Sequence, residues 1–191
     1  FYRYNNISVE YLCYTSEWYK TCVMQKPLLK QNIEAEVQKM SQAEIGKCID
    51  QMVSTLKSKG YDVKISGSKN AIINIIPDKI LVEFNITLAL EKNEQKSTIA
   101  SNKFRTDLVS NTYELVMIAS SIQNFEARFG DSEITSYMTF YPNLKVEKYR
   151  QSDGTKIYII SDRETLEKLQ FATRSLAWPP GYAMPITSVY D

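Results

Sequence analysis

Hydrophobic positions recur at intervals of mostly three and four between Pro27 and Gly60: Leu29, Ile33, Val37, Met40, Ile45, Cys48, Ile49, Met52, Val53 and Leu56. That spacing lays them on one stripe of a helix, with Lys, Gln, Glu and Ser on the opposite face. Pro27 suits the first turn, and Gly60 suits the left-handed position just past the end. At 1.5 Å per residue, about 30 residues would span roughly 45 Å. Gly46, in the middle, marks a bend or a junction between two tandem helices. A one-sided stripe needs a cover, and the strand-rich remainder supplies it.

The period then changes from helical to alternating. Ser66-Gly67-Ser68-Lys69-Asn70 reads as a turn between strands at 62–65 and 71–76, and Pro77-Asp78 as a second turn. In Lys79–Leu90, Ile80, Val82, Phe84, Ile86, Leu88 and Leu90 alternate with mostly polar residues, the pattern of a long strand. Lys96–Leu108 returns as a weaker strand. Asn111-Thr112-Tyr113-Glu114 has capping-box spacing before Leu115, Ile118, Ile122, Phe125 and Phe129, so a helix is expected to end at Gly130. A shorter helix carrying Ile134, Tyr137, Met138 and Tyr141 ends at Pro142. Asp153-Gly154 between β-prone runs signals a hairpin, and Glu167–Trp178 a further strand.

The expected class is therefore α+β: a long N-terminal amphipathic helix packed on antiparallel β-meanders, with a second helix pair between two strand groups. Residues 1–26 read as an irregular aromatic segment, 27–181 as a single domain and 182–191 as a C-terminal tail.

Composition narrows the function more than it names it. The 191 residues carry 23 Lys plus Arg against 22 Asp plus Glu, a net charge of +1 that gives no footprint for nucleic acid or a polybasic membrane patch. There is no histidine, which removes the commonest general base and metal ligand and any Ser-His or Cys-His pair within the chain. Phosphate-cradling glycine loops are absent. The carboxylates are scattered, and nothing in their spacing selects a catalytic pair. Asp153, Asp162, Arg163 and Glu164 read as turn chemistry, and Arg174 as a strand-face ion pair ahead of an anchoring or anion-binding residue. No catalytic residue, metal site or cofactor is expected. No apolar run approaches the roughly 18 residues that span a membrane. The start, Phe-Tyr-Arg-Tyr, lacks an initiator Met and is not a signal peptide, so the chain reads as a mature or partial product.

Cys13 and Cys22 can close a small loop as a disulfide, for which the chain-entropy model gives roughly 2–3 kcal/mol, or remain two reduced thiols. Cys48 lies on the helix stripe and reads as a small core residue, or as the partner of a cysteine outside this sequence. Asn6-Ile7-Ser8 and Asn85-Ile86-Thr87 are glycosylation sequons. With the cysteines they lean towards the cell exterior. Aromatics concentrate near the two ends. Tyr2, Tyr4, Tyr14, Trp18, Tyr19, Tyr182 and Tyr190 form a candidate interface, since such rings suit burial against another chain.

Several stretches together carry a family resemblance. They are Tyr11–Thr15 with Tyr19-Lys20 and Cys22, Gln25–Lys30, Glu126-Ala127-Arg128-Phe129-Gly130-Asp131, Tyr141–Lys145, Ser152–Tyr158 and Gln170–Gly181. In these the chain resembles an uncharacterised archaeal family of single-span, membrane-anchored surface proteins. Members begin with a short basic, apolar segment like a pilin-type signal, which this sequence lacks. The resemblance implies a cell-surface location, with any membrane contact made through that missing anchor, and it implies no activity.

The expected function is a non-catalytic extracellular or cell-surface module, a filament, envelope or adhesion subunit whose partners are copies of itself or other surface proteins. The alternative is a ligand-binding or hydrolytic ectodomain that works through carboxylates.

Overall fold

The structure is a computed structural model that describes residues 1–17, 19–92, 95–99 and 104–175, with the backbone alone at 68, 69, 85, 96 and 99. In chain order the elements are β1 (Tyr2–Tyr4), β2 (Ile7–Val9), β3 (Tyr11–Tyr14), β4 (Val23–Met24), α1 (Leu29–Ser58), β5 (Asp62–Ile76), β6 (Lys79–Lys92), β7 (Gln95–Ile99), β8 (Arg105–Val109), α2 (Thr112–Phe129), α3 (Thr135–Phe140), β9 (Leu144–Arg150), β10 (Thr155–Asp162) and β11 (Lys168–Arg174). The class is α+β. The chain divides into two compact units, Phe1–Leu29 with Glu114–Asp191, and Lys30–Tyr113. The single domain expected over 27–181 draws on both units. Residues 1–26 are not an irregular appendage, because their strands belong to the first unit.

In that first unit a five-stranded sheet runs β4-β3-β11-β10-β9. β9, β10 and β11 form the expected antiparallel meander, turned by Asp153 and by Gly154 at φ 85. β3, from the other end of the sequence, joins it by pairing parallel to β11, which the expectation of antiparallel meanders did not include. The hairpin β1–β2 turns at Asn5 and Asn6, with φ 49 and 64. Left-handed geometry at both central positions suits a tight hairpin, and Asn tolerates it better than most side chains.

β10 is buried along nearly its whole length, because both faces of the sheet are covered. Lys156 and Tyr158 meet α2 on one face. Ile157 and Ile159 pack on the other with Val9 and Ala172, beneath Tyr2, Tyr4 and Tyr11. A strand covered twice carries an unbroken apolar run, here Ile157-Tyr158-Ile159-Ile160.

The second unit sets α1 beside a sheet of β5, β6 and β7, with β8 also paired to β6. α1 is one continuous helix, so Gly46 does not interrupt it. Gly60 closes it at φ 83 and donates its N–H to the Lys57 carbonyl. The expected turn at Ser66–Asn70 is instead a register irregularity inside β5, and the weak strand of 96–108 is two strands on one edge of β6.

The stripe on α1 is only partly inward. Ile49 is buried, but Val37, Cys48 and Met40 are exposed, Met40 at 80%. In the first half of the helix Glu34, Gln38 and Ser41 are half-buried along with Ile33 of the stripe. The Glu34 carboxylate accepts the Ile75 N–H at 2.7 Å and pairs with Lys30 at 2.5 Å. β5 is an edge strand, and an unpaired edge donor requires an acceptor. That demand, absent from a count of apolar residues, accounts for Glu34 on the inward side. Cys48 as a core residue is thereby corrected.

Candidate functional site

The richest chemistry lies where the end of α2 meets β10. α2 buries Leu115, Val116, Ile118, Ala119, Ile122, Gln123 and Glu126. The expected stripe ran through Phe125 and Phe129 instead. Those two rings lie 4.7 Å apart at their centroids and are largely on the surface, Phe129 at 60% exposure. The inward line therefore passes from Ile122 to Glu126, one turn on, and delivers a carboxylate to the core.

Glu126 is 0% exposed, and both of its oxygens are engaged. Oε1 accepts the Ser132 N–H at 3.0 Å and the Tyr158 hydroxyl. Oε2 meets Lys156 Nζ at 2.6 Å. Lys156 also donates to the Gly130 carbonyl and lies 3.6 Å from Asp131. Gly130, at φ 84, is the left-handed residue that ends α2. An ammonium there meets the negative end of the helix dipole.

Asp131 connects this buried pair to the surface. It pairs with Lys148 at 3.1 Å and Arg150 at 2.5 Å. Burial alone would raise its carboxyl, but Lys156, Lys148 and Arg150 outweigh that and hold it below the usual carboxylate range. Burial, then the charge and hydrogen bond of Glu126, push the Tyr158 phenol far above the usual tyrosine range. Tyr158 is thus a fixed donor, and its ring stacks on Phe171 at 5.4 Å.

Two of the stretches that carried the family resemblance, 126–131 and 152–158, supply Glu126, Asp131, Lys156 and Tyr158. Their convergence was not read from the sequence. Strand alternation after Gly154 was the available signal, since it puts Lys156, Tyr158 and Ile160 on one face. A lysine on the same face as two large apolar residues requires a buried anion.

The residues singled out in the sequence lie mostly elsewhere in this unit. Cys13 and Cys22 are bonded, with Cα atoms 5.3 Å apart, closing the segment between β3 and the start of β4. The Gln123 side chain donates to the carbonyls of Leu12 at 2.9 Å and Lys26 at 3.1 Å, fixing both flanks of that segment to α2. Tyr2 and Tyr4 are half-buried on their own sheet, against Tyr11 and Tyr149. Tyr14 lies 4.9 Å from Tyr11, with the Arg174 guanidinium 5.8 Å from its ring. Among the described residues Arg174 makes no ion pair like the one expected; it donates to the Asp153 carbonyl at 3.2 Å. Tyr19 is exposed at 71%. Asn6 is exposed at the β1–β2 turn. Trp18, Tyr182 and Tyr190, with the tail 182–191, lie outside the described residues, as does the side chain of Asn85.

Among the described residues no group of three or more acidic or cysteine side chains could hold a metal ion. Among them, too, no helix is long and apolar enough to cross a membrane. No family model, curated protein or solved structure matches the chain.

Proposed function

We propose that this chain is a non-catalytic module of the cell exterior, a filament, envelope or adhesion subunit. The observation that supports it most is the Cys13–Cys22 disulfide, which closes the segment between two strands of the five-stranded sheet. Structural disulfides persist in oxidising compartments and are rare in reducing ones. The resemblance to archaeal surface proteins agrees with that location. Exposed Tyr19, Val23 and Leu28 lie in or just beyond the closed loop and offer apolar surface to a second copy or another surface protein. Exposed Asn6 in its sequon is a glycan acceptor in the same reading.

The alternative, a carboxylate-based ectodomain, draws on the convergence of Glu126 and Asp131 around Lys156. Against it, Glu126 is fully enclosed, beyond the reach of an outside substrate, and Asp131 is engaged by Lys148 and Arg150. Imaging of native cells with an antibody to this chain separates the two readings. Repeating label on a filament or lattice fits the structural subunit. Dispersed soluble protein that releases product from glycan or peptide substrates overturns it.

A further inference from the structure

Glu126 and Lys156 are placed as the two halves of an amide, and we propose that they condense into an intramolecular isopeptide cross-link between α2 and β10. Four features separate this pair from an ordinary buried ion pair. The carboxyl is 0% exposed and the amine 6%, so the product water leaves a site that bulk water does not fill. Lys156 Nζ is fixed beside the carboxyl, at 2.6 Å from Oε2, with the Gly130 carbonyl steering it from the other side. Reactants held in this way reach effective molarities of about 10⁵–10⁸ M. Glu126 Oε1 receives two donors, the Ser132 N–H and the Tyr158 hydroxyl, which is the arrangement that stabilises an oxyanion. A second carboxylate, Asp131, lies 3.6 Å from Nζ and can carry a proton.

The step balances without an outside reagent. A proton passes from the ammonium to Oε2, leaving a neutral amine and a neutral acid. Nζ moves from Oε2 onto Cδ and attacks it, and the negative charge gathers on Oε1 between its two donors. Asp131 takes a proton from the nitrogen and returns it to the Oε2 hydroxyl. The Cδ–Oε2 bond breaks, water leaves, and Oε1 becomes the amide carbonyl. One hydrogen stays on nitrogen and two leave with Oε2, so Asp131 ends as it began. This chemistry does not depend on where the protein resides.

The test is the intact mass of the folded, purified chain, held for days at neutral pH and measured after reduction of the disulfide. The proposal expects a mass one water below the sequence value, and a protease-resistant pair of peptides joined through Glu126 and Lys156. It expects Lys156→Arg, which keeps the charge and removes the reacting amine, to show the full sequence mass. The full mass in the wild-type chain overturns the proposal whether or not the variant folds. So does a missing water that maps to another pair of residues, or a cross-link that persists in Lys156→Arg.

Discussion

Glu126 and Lys156 are 30 residues apart in the chain and 2.6 Å apart in space, one on the last turn of α2 and the other near the start of β10. Lys156 is the only cation paired with Glu126 among the described residues, while Lys156 also lies 3.6 Å from Asp131. Glu126 takes two further donors, and Lys156 the carbonyl that ends the helix. The link fixes the end of a helix to an inner strand of a sheet, and it lies in the protein interior, where an unpaired charge is most unfavourable.

Removing one partner should therefore be severe. Glu126→Ala is expected to lower stability by about 3–5 kcal/mol, the usual result of leaving a buried charge uncompensated. Tyr158→Phe removes one of the two donors to Oε1 and is expected to cost about 1–3 kcal/mol. Urea midpoints at unchanged slope check both. The order holds for the ionic and the amide form alike, because each ties α2 to β10. Equal midpoints for wild type and Glu126→Ala would show that the cluster does not hold the helix.

The same cluster sets the response to pH. Asp131 is held below its ordinary value of 3.8, so its contribution is full above that value and is lost as pH falls through the lower folded one. The contribution is modest, since the side chain is 43% exposed and partly screened. Tyr158 is shifted the other way, above its ordinary 10.0, so its contribution is full below pH 10.0 and declines as pH rises beyond it. Melting temperature against pH should fall at both ends. Asp131→Asn should flatten the acid limb alone and Tyr158→Phe the alkaline limb alone.

The revised face of α1 gives a sharper contrast than the stripe did. Ile49 is buried and Met40 is exposed, so Ile49→Asp should destabilise strongly while Met40→Asp stays within about 0.5 kcal/mol of wild type. A Cβ at Gly46 meets nothing within 4 Å, so Gly46→Ala should stabilise by about 0.5–1 kcal/mol. Lys30→Asp, on a face that looked purely solvated, should now weaken the unit, because Lys30 holds Glu34 against the edge of β5. Thermal melts of the four variants decide the orientation of the helix.

Periodicity located most elements, since hydrophobic spacing is a local record of which face is buried. The β9–β10 hairpin followed from Asp153-Gly154, and the end of α2 from Gly130, because both positions need special backbone geometry. What periodicity could not supply was pairing across distance. β3 beside β11 depends on contact between residues 11–14 and 172–174, and no local pattern announces it. Glu126 and Lys156 were illegible for a related reason. Glu126 looks like a surface charge, alternation marks only the face of Lys156, and only the fold brings the two together. Glu34 is the same case in the second unit.

The N-terminal hairpin is a cover, so removing it should be felt by the fold. Deleting residues 1–9 takes away Val9, Tyr2 and Tyr4 and bares Ile157, Ile159 and Ala172. Loss of the Val9 side chain alone represents about 1.5–3 kcal/mol of burial. A clear drop in melting temperature is expected, which revises the reading of this segment as a tail free to meet a neighbour. An unchanged melt, with weakened self-association, would restore that reading.

The proposal of an exterior module rests on the redox state of two residues, and that state can be measured in the organism itself. Cells are lysed in the presence of a thiol-blocking reagent, and the native chain is recovered and mapped by non-reducing peptide mass analysis. The account predicts Cys13 and Cys22 unblocked and linked to each other, with exposed Cys48 the site of blocking or of an intermolecular bond. Recovery of Cys13 and Cys22 as two blocked thiols would contradict it, because the chain would then reside in a reducing compartment.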